Sequence, residues 1–164
     1  MAEGKTSAME RTLVILKPDA VQRRLIGRVV ARIEQKGLHI VGMKMMRISE
    51  KMARQNYREH KGKEFYEPLV RFMTSGPVVV LAVQGVKAVE VVRRMMGKTF
   101  GSQSDPGTIR GDFGMSNRFN LVHGSDSVET AKREIALFFL EKELHRWSPT
   151  DAGWVYDTSG RKMV

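Results

Sequence analysis

Apolar residues follow two rhythms along the chain, and the switches between them mark its elements. Residues 12–17 form a short run rich in aliphatic and β-branched side chains, stopped by Pro18, which predicts a strand. Over residues 25–35 the apolar positions fall at helical spacing and Gly37 closes the stretch, so a helix is expected. Residues 38–48 alternate loosely as a second strand. Ser49 then opens a charged helical stretch to about His60, and a further short helix fits residues 64–73. After the punctuation of Ser75, Gly76 and Pro77, residues 78–84 make the nearly continuous apolar run of a strand buried on both faces. Residues 86–96 return to helical spacing. Five glycines and one proline between Gly97 and Met115 predict a long loop, of the kind that is usually functional inside a compact domain. Residues 117–123 read as a last strand, and Asp126 with Glu129 reads as a capping pair for a helix to about Leu140.

The resulting order, β-α-β-(αα)-β-α-β-α, implies an α/β (α+β) fold: a ferredoxin-like split βαβ arrangement, with a four-stranded antiparallel sheet and helices packed on one face. Residues 1–9 and 158–164 lack periodicity and are expected to be flexible tails around one domain over residues 10–157. A length of 164 residues suits a single domain. With 41% hydrophobic and 28% charged residues the chain is not a disordered one. The absence of cysteine removes disulfides, thiol catalysis and cysteine-based zinc sites together. No unbroken apolar stretch exceeds six residues, against the roughly 20 that a membrane-spanning helix needs. Glu3, Lys5, Glu10 and Arg11 precede only four apolar residues, too few for a signal peptide, so a cytoplasmic location is expected. The net charge of +10 either serves solubility or draws polyanions such as nucleotides, nucleic acids or anionic membrane surfaces. It names a class of partner and no activity.

Two short motifs fail on their surroundings. Gly97-Lys98-Thr99 matches the end of a phosphate-binding Walker loop, but Val92 stands where that pattern needs glycine. Asp112-Phe113-Gly114 spells the magnesium motif of protein kinases in a chain without the H-R-D loop or the glycine-rich lid. His123 is different: it follows an apolar strand and precedes Gly124, Ser125 and Asp126 at a helix start. A helix N-terminus offers free N–H groups to a phosphate, and a neutral imidazole is a competent nucleophile. One histidine at a strand end is by itself an ordinary core residue, while His39, His60 and His145 read as strand, helix-end and tail polar groups. Lys17 at the end of the first strand, Arg93 near a helix end beside Thr99, and Arg110 between Gly107 and Gly111 supply cations from three separate places. Each alone is a solvated charge. Converging on His123, they would offset the charge of a transferring phosphoryl group.

Lys17-Pro18-Asp19, the run from Pro106 to Gly111 followed by Asp112-Phe113, and Asn120-x-x-His123-Gly124-Ser125-Asp126-Ser127 together resemble nucleoside diphosphate kinases over about residues 10–157. The resemblance implies a ping-pong phosphotransferase. A nucleoside triphosphate phosphorylates His123, and a nucleoside diphosphate then collects the group; Mg²⁺ bridges the phosphates without a dedicated protein ligand. By the same resemblance Lys17 and Asn120 reach the sugar-hydroxyl side, and Tyr57 and Glu134 set the histidine's environment. Arg93, Thr99 and Arg110 hold the phosphates, and Phe65 and Leu69 cover the base. Stacking hardly distinguishes bases, so ATP, GTP and other nucleotides would all be accepted.

Two positions depart from the family pattern. Gly101 stands where a proline is common, and Asn117 falls at a base-clamping position that is usually aliphatic. The resemblance further implies a homo-oligomer, a hexamer, in which residues 147–157 and the loop after Thr99 pack across subunits. The aromatic side chains Trp147, Trp154 and Tyr156 are costly to leave in water. Gly101→Pro is expected to raise heat stability by restricting the unfolded chain, if the backbone there tolerates proline. A basic nucleic-acid-binding module and a non-catalytic nucleotide-binding relative are the rival readings, with nucleic acid a secondary partner class.

Overall fold

A computed structural model describes residues 9–159 and Met163. Most of both expected tails, residues 1–8, 160–162 and 164, lies outside the described residues. Strand β1 (Met9–Leu16) runs inside a four-stranded sheet of order β2-β3-β1-β4, with β2 (His39–Arg47), β3 (Pro77–Val86) and β4 (Val122–Gly124). Every pairing is antiparallel. This is the ferredoxin-like arrangement expected from the order of elements.

The helices, however, cover both faces. Val14, Leu16, Val79, Leu81 and Val83 pack with Val29 and Ile33 of α2 (Ile26–Gln35) and with Val92 and Met96 of α5 (Ala88–Met96). The alternate set, Leu13, Ile15, Val78, Val80 and Ala82, packs with α3 (Glu50–Asn56), α4 (Tyr66–Thr74) and α7 (Val128–Phe138) through Ala53, Val70, Met73, Ile135 and Phe138. Strands β1 and β3 are apolar at odd and even positions alike, so a single helical layer would leave one full row in water.

Several boundaries move for local reasons. Pro18 does not merely stop β1: it takes the N1 position of a short helix, α1 (Pro18–Gln22), where its missing N–H costs nothing. Lys87, at a φ of 51°, separates β3 from α5 and keeps Val86 in the strand. The loop over residues 97–115 contains a short helix, α6 (Ile109–Phe113), because the Thr108 side chain caps it by accepting the Gly111 N–H at 3.0 Å. Strand β4 is shorter than the run 117–123, since Leu121 turns to a φ of 73°. The cap of α7 is Ser127, which accepts the Thr130 N–H at 3.0 Å, in place of the expected Asp126 and Glu129 pair.

The expectation for Gly101→Pro is overturned. Gly101 is buried against Gly114, whose carbonyl group a Cβ at position 101 would strike, and its own N–H points to the Ser116 carbonyl. Proline would both overpack this contact and remove the donor. Overpacking costs about 1–3 kcal/mol, so Gly101→Pro and Gly101→Ala should each melt several degrees below the wild type in a calorimetric scan. The C-terminal segment, which ends in α8 (Ala152–Val155), docks on its own chain: the Trp147 indole N–H donates to the Ile40 carbonyl at 2.9 Å, and the Tyr156 hydroxyl to that of Gly37 at 3.1 Å. Trp154 remains 94% exposed.

Candidate active site

The site is assembled where β1 and β4 end together. Register pairs Ile15 with His123, and beyond the last pair the Lys17 N–H donates to the Leu121 carbonyl at 2.8 Å. Lys17 and Asn120 therefore meet: the Lys17 ammonium donates to the Asn120 amide oxygen at 2.6 Å, and the Asn120 NH₂ donates to the Thr99 carbonyl at 3.0 Å. The left-handed turn at Leu121 that shortens β4 is held by Asp19, whose carboxylate accepts the Leu121 N–H at 3.0 Å. Thus the Lys17-Pro18-Asp19 run and the Asn120-to-Asp126 run are one structural unit.

Arg110 projects from α6 into the same region and is almost wholly buried. Its guanidinium donates to the carbonyls of Asn120 (3.1 Å), Gly97 (3.2 Å), Lys98 (3.3 Å) and Val122 (2.7 Å). Because each acceptor is a backbone oxygen, the arginine pairs with no carboxylate among the described residues. Asp112, whose neighbours spell the chance kinase motif, serves the fold. It pairs with Arg32 of α2 and accepts the Gly107 N–H at 2.8 Å, tying α6 to the helical layer.

His123 is half-buried. Its Nε2 lies 3.1 Å from Glu134 on α7, and the other carboxylate oxygen of Glu134 accepts the Ser125 hydroxyl at 2.6 Å. Ser125 in turn accepts the Leu13 N–H at 3.2 Å, so Glu134 is anchored to β1. Burial pushes the Glu134 carboxyl up, but the hydrogen bonds from His123 and Ser125 outweigh it and hold it below the usual carboxylate range. An ionised carboxylate only accepts, so Nε2 is the donor to Glu134 and Nδ1 is the ring nitrogen that this contact leaves unengaged. Tyr57 packs edge-on to the imidazole, with ring centroids 5.5 Å apart.

These groups line a cavity of about 600 Å³, and every residue given a site role by resemblance lies on its wall: Lys17, Tyr57, Phe65, Leu69, Arg93, Thr99, Arg110, Asn120, His123 and Glu134. Phe65 is half exposed at the mouth. Asn117, expected by resemblance at a base-clamping position, lines the same cavity. The electrostatics are those of a site built for an anion. Burial, and next the nearby Arg110, push the Lys17 ammonium down to about 8 against a partial offset from Asp19. Burial and then Arg93 push Arg110 down to about 10. Bringing a phosphate between these cations relieves the repulsion that lowers both.

Sequence reasoning passes over several wall residues. His60, by pattern a helix-end polar group, stacks on Tyr57 with centroids 6.4 Å apart and contacts Phe65 at 5.2 Å. Its spacing of three from Tyr57, one turn of the 3₁₀ helix Arg58–His60, was the available signal. Asn56, Phe100, Arg118 and Arg133 also reach the cavity and carry no motif.

Comparison with known proteins places the geometry in context. A family model described as nucleoside diphosphate kinase matches residues 10–144. The nucleoside diphosphate kinase of Methanocaldococcus jannaschii is 56% identical over 135 residues, covering 82% of this chain and 96% of its own. That of Thermomicrobium roseum is 52% identical over 147 residues, covering 90% and 99%. Among solved structures, a halophilic nucleoside diphosphate kinase from Halobacterium salinarum in complex with CDP superposes with a TM-score of 0.89 at 49% identity, covering 92% of this chain and all of that one.

Proposed function

The chain belongs to the nucleoside diphosphate kinase family, and from that premise we propose how its own residues carry out the transfer. The enzyme is a phosphotransferase that moves the terminal phosphoryl group of a nucleoside triphosphate to a nucleoside diphosphate. In our reading His123 carries the group between the two halves. Its Nδ1 lone pair attacks the γ-phosphorus, an N–P bond forms, and the P–O bond to the β-phosphate breaks, its electrons leaving on the nucleoside diphosphate. An oxygen of the second diphosphate then reverses each step. The observation that carries this reading is the Glu134–His123 pair, which engages Nε2 and leaves Nδ1 without a partner among the described residues, on a histidine that lines the cavity.

Arg110, Arg93 and Lys17 offset the charge on the transferring group, and no proton need move. Lys17 and Asn120 face the sugar hydroxyls, Thr99 assists with the phosphates, and Phe65 and Leu69 enclose a base of any kind. Mg²⁺ fits as a passenger on the phosphates. The acids on the cavity wall are mostly engaged, Glu134 with His123 and Ser125 and Glu59 with Arg133, which favours a cation brought by its substrate. When bound, it would neutralise phosphate charge. We also place the enzyme in the cytoplasm, in keeping with a cysteine-free sequence. No helix among the described residues is long and apolar enough to cross a membrane. A hexamer belongs to the same proposal. Met43 and Met45 on β2, and Trp154 on the docked segment, are more than half exposed and suit burial against further subunits.

Initial rates with triphosphate and diphosphate varied together test the scheme: parallel double-reciprocal lines support a phosphorylated enzyme, and intersecting lines reject it. The same geometry separates orientation from proton abstraction. Glu134→Gln keeps a side chain that can accept from Nε2, so it should lose less kcat than Glu134→Ala, for which roughly tenfold or more is expected. Equal losses in the two variants would reject this division.

A further inference from the structure

Phe65 stands at the mouth of the cavity, 48% exposed, and belongs to neither core layer. A ring this open has few neighbours to hold it, and a side chain that must be ordered when a ligand arrives weakens the binding it contributes to. Among the described residues two groups bracket it. The His60 ring meets it at 59° with centroids 5.2 Å apart, and the Lys63 ammonium lies 5.6 Å from its centre. The same ammonium donates to His60 Nδ1 at 3.3 Å, so the three side chains form one cluster on the turn between α3 and α4. His60 has firmer ground behind it. Its ring lies within 21° of parallel to that of Tyr57, with centroids 6.4 Å apart, and Tyr57 belongs to the core layer beneath. The turn is tied by its backbone as well: the His60 N–H donates to the Tyr57 carbonyl at 2.9 Å, that of Lys63 to His60 at 3.0 Å, and that of Tyr66 to Lys63 at 3.0 Å.

We propose that His60 is a positioning residue for the base: it stands between Tyr57 and Phe65 and holds the Phe65 ring in place before a nucleotide enters. The inference rests on the reading of Phe65 as a cover for the base. In this role His60 acts through Phe65 and not on the phosphates, so its contribution falls on affinity and leaves the transfer at His123 alone. It serves substrates that carry a base and is silent for those that do not. Because Phe65 offers the base a ring face, the gain is shared by all bases and sets no preference among them.

The test compares two acceptors of the phosphoryl group: ADP, and ribose 5-diphosphate, which keeps the sugar and the diphosphate without the base. His60→Ala should raise KM for ADP about fivefold, the weight of one aromatic pair, with kcat within about twofold of wild type. KM for ribose 5-diphosphate should not change. His60→Phe restores a ring and should bring KM for ADP back to within about twofold of wild type, whereas His60→Gln, which keeps an acceptor for Lys63 but no ring, should not. His60→Ala added to Phe65→Ala should cost nothing further, since both act through one ring. A wild-type KM for ADP in His60→Ala would overturn the proposal. So would an equal rise for both acceptors, which would assign His60 to the phosphate end or to the fold, and so would rescue by glutamine without rescue by phenylalanine. If Phe65→Ala itself leaves KM for ADP unchanged, the underlying reading of Phe65 fails first, and this inference with it.

Discussion

Alanine at position 123 should reduce phosphorylation of a nucleoside diphosphate by at least about a thousandfold while leaving the fold intact. The expectation follows from what His123 does and does not support. Its side chain is half-buried at the end of β4 and makes one polar contact, to Glu134, so truncation removes little packing. Glu134 keeps its bond from Ser125. Without the imidazole, transfer would require both nucleotides at once in a cavity of about 600 Å³, and the electrostatic contribution of Lys17, Arg93 and Arg110 would have no nucleophile to serve. A thousandfold corresponds to about 4 kcal/mol of barrier. Coupled assays of NDP phosphorylation, set beside nucleotide binding by calorimetry, check it: binding should survive within about tenfold. Residual transfer near the wild-type rate would move the chemistry to another residue.

The second large effect is a pair of opposite pH dependences at Lys17. Its ammonium is pushed down to about 8 by burial and by Arg110, from 10.5 in the unfolded chain. Above pH 8 the free enzyme loses this charge, so kcat/KM should fall on an alkaline limb near pH 8. Bound phosphates favour the charged form, and the corresponding limb in kcat should therefore lie higher. Stability moves the other way. Between about pH 8 and 10.5 the folded chain releases the proton first, the unfolded state binds more protons, and this group's contribution to stability rises with pH. Below pH 8 both states are charged and the burial penalty is present in full, on the order of 3 kcal/mol by the size of the shift. Lys17→Ala should lose at least tenfold in kcat/KM at pH 7 and show neither the alkaline limb nor this rise in Tm. An alkaline limb that persists near pH 8 in Lys17→Ala would assign the titration elsewhere.

How far the sequence could be read depended on whether a feature was local. The strands were legible because their apolar runs are long and bounded by Pro18, Gly37 and the Ser75-Gly76-Pro77 break. The second helical layer was foreseeable only in part. The continuous apolar run of β3 announced two buried faces, but nothing in α3, α4 or α7 taken singly says which face it covers. Helix α6 was hidden because its glycines and Pro106 read as loop, and the Thr108 cap became evident only through its distance to Gly111. The approach of Gly101 to Gly114 joins residues 13 apart through a turn that no pattern predicts, and it reversed the expectation for proline. The cavity wall was legible where residues stand in dense motifs, as at Asn120 to Asp126. Asn56 and Arg133 belong to ordinary charged helical stretches, and only the packing of α3 on α7 and of α7 on β1 brings them to the site.

The central claim, that the phosphoryl group rests on His123 between two half-reactions, is tested most directly by isolating the intermediate. The chain is incubated with γ-labelled ATP, separated from nucleotide, and divided between acid, base and an unlabelled nucleoside diphosphate. The label should be lost in acid, kept in base, released as labelled triphosphate by the diphosphate, and absent from His123→Ala. Label that resists acid, stays on the chain when diphosphate is added, or reaches His123→Ala to the same extent would contradict the account.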